Sequence, residues 1–205
     1  VEAILQLRPV LTGYNTMEGN VLVPSSASRP TFPLTGSLIA SFEARDKRRS
    51  MWVNSKTVNG ITYYYPYKYK QRANFTSSFK LTEYNMLLRL AEIYLVRAES
   101  RIYLKQLSGA IADVDSIRAR AGLPLIAVTN PGISGAALNE KIHQERKIEF
   151  FAEYGHRWFD LKRTGKAYET MAAIKAGWKE TQLLWPIPHA QIKLNPYLIQ
   201  NDGYF

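Results

Sequence analysis

The sequence predicts a mainly α protein in which a helical hairpin and additional helices follow a loop-rich N-terminal region with short β-strands. Three observations carry that expectation. From Leu87 onward apolar residues recur at helical spacing in successive stretches. Gly13, Gly19, Pro24, Pro30, Pro33 and Gly36 crowd one early segment with turn formers. The one strictly alternating run, residues 61–70, is short and interrupted by Pro66, which confines it to a sheet edge or an extended loop. Residues 1–80 are therefore expected as a loop-rich variable segment and residues 81–205 as a helical one. Both belong to one domain, since 205 residues with 46% hydrophobic content suit one sizeable core.

Taken in order, residues 1–7 alternate well enough for an edge strand. The abrupt, strand-like start at Val1 reads as the boundary of a fragment of a longer protein. Residues 13–37 should be irregular, and residues 37–42 suit a short helix capped by Ser37. In residues 61–70, Tyr63, Tyr65, Tyr67 and Tyr69 project to one side, with Tyr64, Pro66, Lys68 and Lys70 on the other. Leu87, Leu88, Ala91, Tyr94, Leu95 and Ala98 then mark a helix running through Leu104. After a break at residues 106–109, Ala110, Ile111, Val114, Ile117 and Ala121 mark a second, stopped by Gly122 and Pro124. Two antiparallel helices with small residues at their crossing resemble a tetratricopeptide hairpin. A lone hairpin cannot bury its own apolar face, so further repeats are expected outside this sequence. Residues 127–135 read as a loop, 137–153 as a third helix, and 156–163 and 167–176 as shorter ones. In the tail, residues 183–188 read as extended, and Asn195-Pro196 and Asn201-Asp202-Gly203 mark turns.

Composition removes several function classes. Cysteine is absent, which excludes thiol chemistry and cysteine-based zinc sites within this sequence. His143, His156 and His189 are too far apart for a histidine metal motif, and no cofactor or metal is expected. No stretch approaches the length of an apolar membrane span. The net charge of +10 is spread among acidic residues, its densest run being Arg45 to Arg49, so no basic stripe points to nucleic acid. Thirteen tyrosines supply flat apolar faces with a hydroxyl, which suit half-wet sugar sites and protein interfaces as well as ordinary packing.

The third helix carries an anomaly. At 100° per residue, Leu138, Ile142 and Ala152 share one stripe, and Glu145 and Glu149 fall in the middle of it. A carboxylate there is costly unless paired and hydrogen-bonded, and Arg146, Lys141 and Arg157 lie close in sequence. Two readings compete. The pair could run glycoside hydrolysis as acid and base, or it could satisfy buried arginines or helix N–H groups from neighbouring elements. Carboxylates one turn apart on the same helix do not easily flank a glycosidic bond on opposite faces, which favours the second reading.

Residues 145–163 run ERKIEFFAEYGHRWFDLKR. This stretch resembles the signature of the SusD/RagB family, with Tyr154 inserted before Gly155 relative to the commonest form. Residues 42–49 (FEARDKRR), 88–99 (LRLAEIYLVRAE), 117–124 (IRARAGLP), 184–188 (LWPIP) and 195–204 resemble further family segments in the family's order. The resemblance covers nearly everything from about residue 35 on. It implies a SusD-like fold and a non-enzymatic protein of the Bacteroidetes. Such a protein is a peripheral lipoprotein on the outer face of the cell outer membrane. It binds oligosaccharides or related nutrients and passes them to a SusC-like TonB-dependent transporter. Its lipid anchor would lie outside this sequence. A tetratricopeptide-like protein scaffold without ligand, or a glycoside hydrolase using Glu145, Glu149 or Asp160, is the alternative.

Within the signature, Glu145, Glu149, Arg157, Trp158 and Asp160 read as structural residues that tie the last helices to the core. Sugar recognition instead needs exposed ring faces, with amide, hydroxyl or guanidinium groups at the rim, carried on loops. That points to Tyr14, Asn15, Trp52, Asn54, Tyr63, Tyr65 and Arg72 as ligand-binding candidates. The Tyr63–Tyr69 row could equally be the face of an edge strand that covers the core.

Overall fold

A computed structural model describes residues 2–204, which form two compact units dividing after Ala152. In the first unit, strand β1 (Ala3–Leu7) is followed by helix α1 (Met17–Leu22), helix α2 (Gly36–Ile39) and helix α3 (Lys47–Trp52). Strands β2 (Val53–Val58), β3 (Ile61–Pro66) and β4 (Asn85–Arg89) come next. Helices α4 (Leu90–Tyr103), α5 (Leu107–Ala121), α6 (Ile126–Thr129) and α7 (Gly135–Glu149) complete it. The expected mainly α class holds. Val1, counted in the expected first strand, lies outside the described residues.

Helices α4 and α5 form the expected tetratricopeptide-like hairpin. Arg101 reaches the Gly109 carbonyl and Arg97 reaches Asp113, so one helix descends in number as the other rises. Ala91, Leu95 and Ala98 of α4 meet Ala110, Ile111, Val114 and Ile117 of α5 in a buried core. Leu138 and Ile142 of α7 close it from a third side, with Ile126, Ile133 and Phe150. Small residues at the crossing let the helix axes approach, which is why the hairpin pattern was readable from spacing.

Several elements differ from expectation. The stretch around Leu87 and Leu88 is strand, not helix: β4 pairs antiparallel with β1, and α4 starts only at Leu90. Residues 13–37, expected to be irregular, contain α1, and the short helix expected at 37–42 is α2, shifted to Gly36–Ile39. Thr16 caps the first by accepting from Gly19 N, and Thr35, not Ser37, caps the second. Residues 126–129 form a helical turn because Asp115 on α5 accepts from the Ile126 and Ala127 amides at 2.7 and 3.0 Å. Helix α7 starts two residues before Ala137, capped by Ser134, and stops at Glu149. Ala152 beyond it adopts the left-handed region (φ 57°), so Glu153 and Arg157 do not share a helix turn.

The second unit holds helix α8 (His156–Arg163), helix α9 (Ala167–Ile174), a 3₁₀ turn (Glu180–Leu183) and helix α10 (His189–Leu194). The 3₁₀ turn ends at Leu183, where the segment expected to be extended begins, and α10 follows that segment. Among the described residues no helix is long and apolar enough to cross a membrane.

Candidate functional site

The stripe on α7 is real up to Glu149: Leu138, Ile142, Glu145 and Glu149 are all buried, Glu149 completely. What makes two carboxylates tolerable there is a set of arginines delivered by other elements. Arg48 sits on α3 because Asp46 caps that helix, accepting from the Arg48 amide at 2.9 Å and from its guanidinium at 2.8 Å. Its Nη1 then bridges Glu145 at 2.9 Å and Glu149 at 3.1 Å. Arg89, at the end of β4, donates to Glu149 Oε1 at 2.7 Å and to the Glu149 carbonyl at 2.9 Å. Two arginines of the last turn of α5 finish the set. Arg118 donates to Glu145 at 2.7 Å, to Glu43 at 2.7 Å and to the Pro124 carbonyl at 2.9 Å, while Arg120 donates to Glu149 and to Glu2. Glu2 also accepts from Arg89.

Arg48, Arg89, Arg118 and Arg120 thus face Glu2, Glu43, Asp46, Glu145 and Glu149 in one continuous lattice. Burial alone would push the Glu149 carboxyl up. The adjacent Arg89 and Arg120 charges and their hydrogen bonds outweigh it and bring the group down to about 2. A hydrogen bond from Arg118 likewise lowers Glu43, and the Arg118 guanidinium is raised in return. Glu149 is held ionised, the state least suited to donating a proton to a leaving group, and both oxygens of Glu145 are occupied by Arg48 and Arg118.

Of the partners that sequence proximity suggested, Lys141 and Arg146 lie on α7 itself. The arginines that hold Glu145 and Glu149 come instead from α3, β4 and α5. Their signal was nevertheless in the sequence. Arg48 falls in segment 42–49, Arg89 in segment 88–99, and Arg118 and Arg120 in segment 117–124. Segments 42–49, 88–99 and 117–124 meet the start of segment 145–163 at one point in space.

Lys68 extends this centre. Its ammonium lies 4.6 Å from the Trp52 ring centroid and 4.4 Å from that of Phe151, and donates to the Glu149 carbonyl at 2.6 Å. Trp52 also has Arg120 at 5.5 Å and Arg89 at 5.9 Å. Its indole is therefore the aromatic wall of a cationic cluster.

The ligand-binding candidates fall into groups. Strands β2 and β3 pair antiparallel across a turn in which Asn59 and Gly60 both have positive φ, the geometry an Asn-Gly hairpin favours. That register sets Asn54 opposite Tyr65 and Lys56 opposite Tyr63, so Asn54, Tyr63 and Tyr65 share one face. Asn54 is exposed, Tyr63 half-buried and Tyr65 buried, its ring edge-to-face with Tyr67 at 5.9 Å. Lys56 fastens the loop at Ser25 and Ser26 beside this face by donating to both carbonyls.

A second group surrounds α1. Tyr14 stands edge-to-face with exposed Phe75 at 5.3 Å. Asn15 is buried, its Oδ1 accepting from the Thr82 and Glu83 amides at 2.7 and 2.9 Å. Arg72 donates to the Asn20 and Val23 carbonyls around the end of α1. In the second unit, Trp158 and Trp178 meet edge-to-face at 6.4 Å, and Arg163 donates to Asp160 at 2.8 Å. Arg157 opens the same helix, α8.

Among the described residues no group of three or more acidic or histidine side chains could hold a metal ion.

The chain's likenesses agree with this arrangement. A model of the SusD family matches residues 42–204. Two SusD-like proteins of Formosa agariphila are related. One is 37% identical over 124 residues, covering 58% of this chain and 24% of its own length. The other is 25% identical over 206 residues, covering 92% and 39%. Among solved structures, a SusD superfamily protein from Bacteroides vulgatus is 26% identical, with a TM-score of 0.57 over 78% of this chain and 36% of its own. Surface glycan-binding protein A from Bacteroides uniformis has a TM-score of 0.71 over 98% of this chain and 48% of its own, at 21% identity, which speaks to the fold alone. The chain spans 24% and 39% of the two Formosa relatives' lengths. With a family model matched over most of its length, and signature segments converging on one buried lattice, the chain belongs to the SusD family.

Proposed function

We propose that this chain is part of a surface protein that binds oligosaccharides without turning them over and passes them to a SusC-like TonB-dependent transporter. It works at the outer face of the outer membrane, tethered by a lipid anchor outside residues 1–205. The observation that carries the non-catalytic half of this reading is the lattice. Glu145 and Glu149 are consumed by Arg48, Arg89, Arg118 and Arg120, so the carboxylates best placed to suggest hydrolysis are fasteners. Membership of the SusD family, whose resemblance implies oligosaccharide or related nutrient ligands, supports the ligand class.

Contact with the ligand then falls to the aromatic surfaces. On the hairpin, Tyr63 offers a half-buried ring on the same face as the exposed amide of Asn54, with the buried Tyr65 next along that face. Tyr14 offers a second ring. Asn15 and Arg72 act by fixing the loop backbone around α1, and Trp52 joins this surface to the lattice through the cations around its ring.

The test is calorimetric titration of the full-length protein with a panel of oligosaccharides, alongside an assay for released product. Saturable binding without product is expected, with Tyr63→Ala weakening it roughly tenfold, about 1.4 kcal/mol. Product release that disappears in Glu149→Gln would make the protein a hydrolase. A folded protein that binds no glycan in the panel but copurifies with a barrel transporter would make it a protein scaffold.

A further inference from the structure

Residues 1–82 carry eleven Lys and Arg against four Asp and Glu, and therefore +7 of the +10 net charge. Three of those four carboxylates, Glu2, Glu43 and Asp46, are engaged by the arginine lattice. The fourth, Glu18, accepts from the Asn85 amide at 2.5 Å. Residues 19–42 and 47–82, which include the β2–β3 hairpin and the loop that follows α1, contain no acidic residue.

Two of the remaining cations converge on that loop from different elements. Lys56 of β2 donates to the Ser25 and Ser26 carbonyls at 2.5 and 2.7 Å. Arg72 donates through Nη1 to the Asn20 carbonyl at 2.9 Å and to that of Val23. A carbonyl satisfies a hydrogen bond but carries no net charge, so both side chains stay cationic without a counter-ion. Lys56 has used two of its three donors, and Arg72 one nitrogen of its fork. Exposed Arg29 adds a third cation on the same loop. On the hairpin face beside it, the Oδ1 of Asn54 accepts from the Ser55 amide at 2.7 Å, so this exposed side chain offers a ligand its N–H donors. Neutral sugars present hydroxyls that both donate and accept. A corner made mostly of donors and positive charge matches a group that only accepts.

We propose that this corner binds an anionic substituent of the oligosaccharide, a uronic-acid carboxylate or a sulfate ester, while Tyr63 lies against the sugar ring. The inference rests on the oligosaccharide-binding reading above and names the class of sugar.

The experiment titrates the full-length protein calorimetrically with matched pairs: polygalacturonate oligosaccharides and their carboxyl-reduced forms, carrageenan oligosaccharides and their desulfated forms. At least one acidic form is expected to bind at least about tenfold tighter than its neutral partner, about 1.4 kcal/mol, and added salt should erode the difference. The pair that shows it tells carboxylate from sulfate. Lys56→Gln and Arg29→Gln should each lower the acidic-to-neutral affinity ratio several-fold, whereas a variant that only disturbs the loop weakens both members alike. Equal affinity within both pairs, or a ratio unchanged in both variants, overturns this inference and leaves oligosaccharide binding standing. Failure of every acidic and neutral glycan to bind the folded protein overturns both.

Discussion

Glu149 shows at the level of one side chain why a charged residue can occupy the driest position of a helix. Its cost in an apolar environment is large, and its two oxygens and its backbone carbonyl recover that cost by accepting from Arg48, Arg89, Arg120 and Lys68. Such an arrangement is fragile to halving. Glu149→Gln keeps the shape but leaves three guanidinium groups around a neutral amide, and should lower the unfolding free energy by about 3–5 kcal/mol in denaturant titration. Changing the whole lattice to well-packed apolar residues need not cost anything, because buried ion pairs often roughly break even with hydrophobic packing. Its value would then lie in fixing which segments meet. The carboxylate anomaly was legible in the sequence. Its partners lay in the family segments, but their pairing with it was not legible, because Arg146 and Lys141 are nearest in number while Arg48 is brought in by the Asp46 cap on a helix that spacing did not mark.

At the level of elements, periodicity was a good guide where one face of a helix meets one core. Helices α4 and α5 follow their apolar spacing closely from Leu90 on. It misled at Leu87 and Leu88, whose spacing continues that of α4 although their backbone pairs with β1; cross-strand hydrogen bonding overrode a helical pattern. Strand β2 was readable in principle, since Asn59-Gly60 between two polar-alternating runs is a strong hairpin signal. Helix α6 was not, because its cap is Asp115, a side chain from another helix. The three-helix core gives a direct test. Leu138 is fully buried between α7 and the hairpin, and Leu138→Ala should cost about 2–5 kcal/mol in thermal or denaturant unfolding. A cost near zero would mean that α7 does not hold the hairpin as described.

At the level of the whole molecule, the lattice ties stability to pH. The Glu149 carboxyl, at about 2 when folded, lies below its ordinary value of 4.5, so the stability it contributes is fully present above about pH 4.5 and is lost as pH falls towards 2. Glu43 is shifted the same way and adds to the loss. Unfolding free energy should therefore fall steeply between about pH 4.5 and pH 2, and Glu149→Gln should fall less steeply over the same interval. Equal slopes for the two proteins would remove Glu149 from the account.

The sequence by itself determined the helical class, the tetratricopeptide-like hairpin and the family, because these rest on local period and on residue order. Only the tertiary structure decided what the inward-facing carboxylates are for and where the tyrosine row lies. Both depend on groups some 30 to 100 positions apart in the chain, Arg118 and Arg48 against Glu145 and Lys56 against the Ser25 carbonyl, and no spacing rule along a chain reports that kind of proximity.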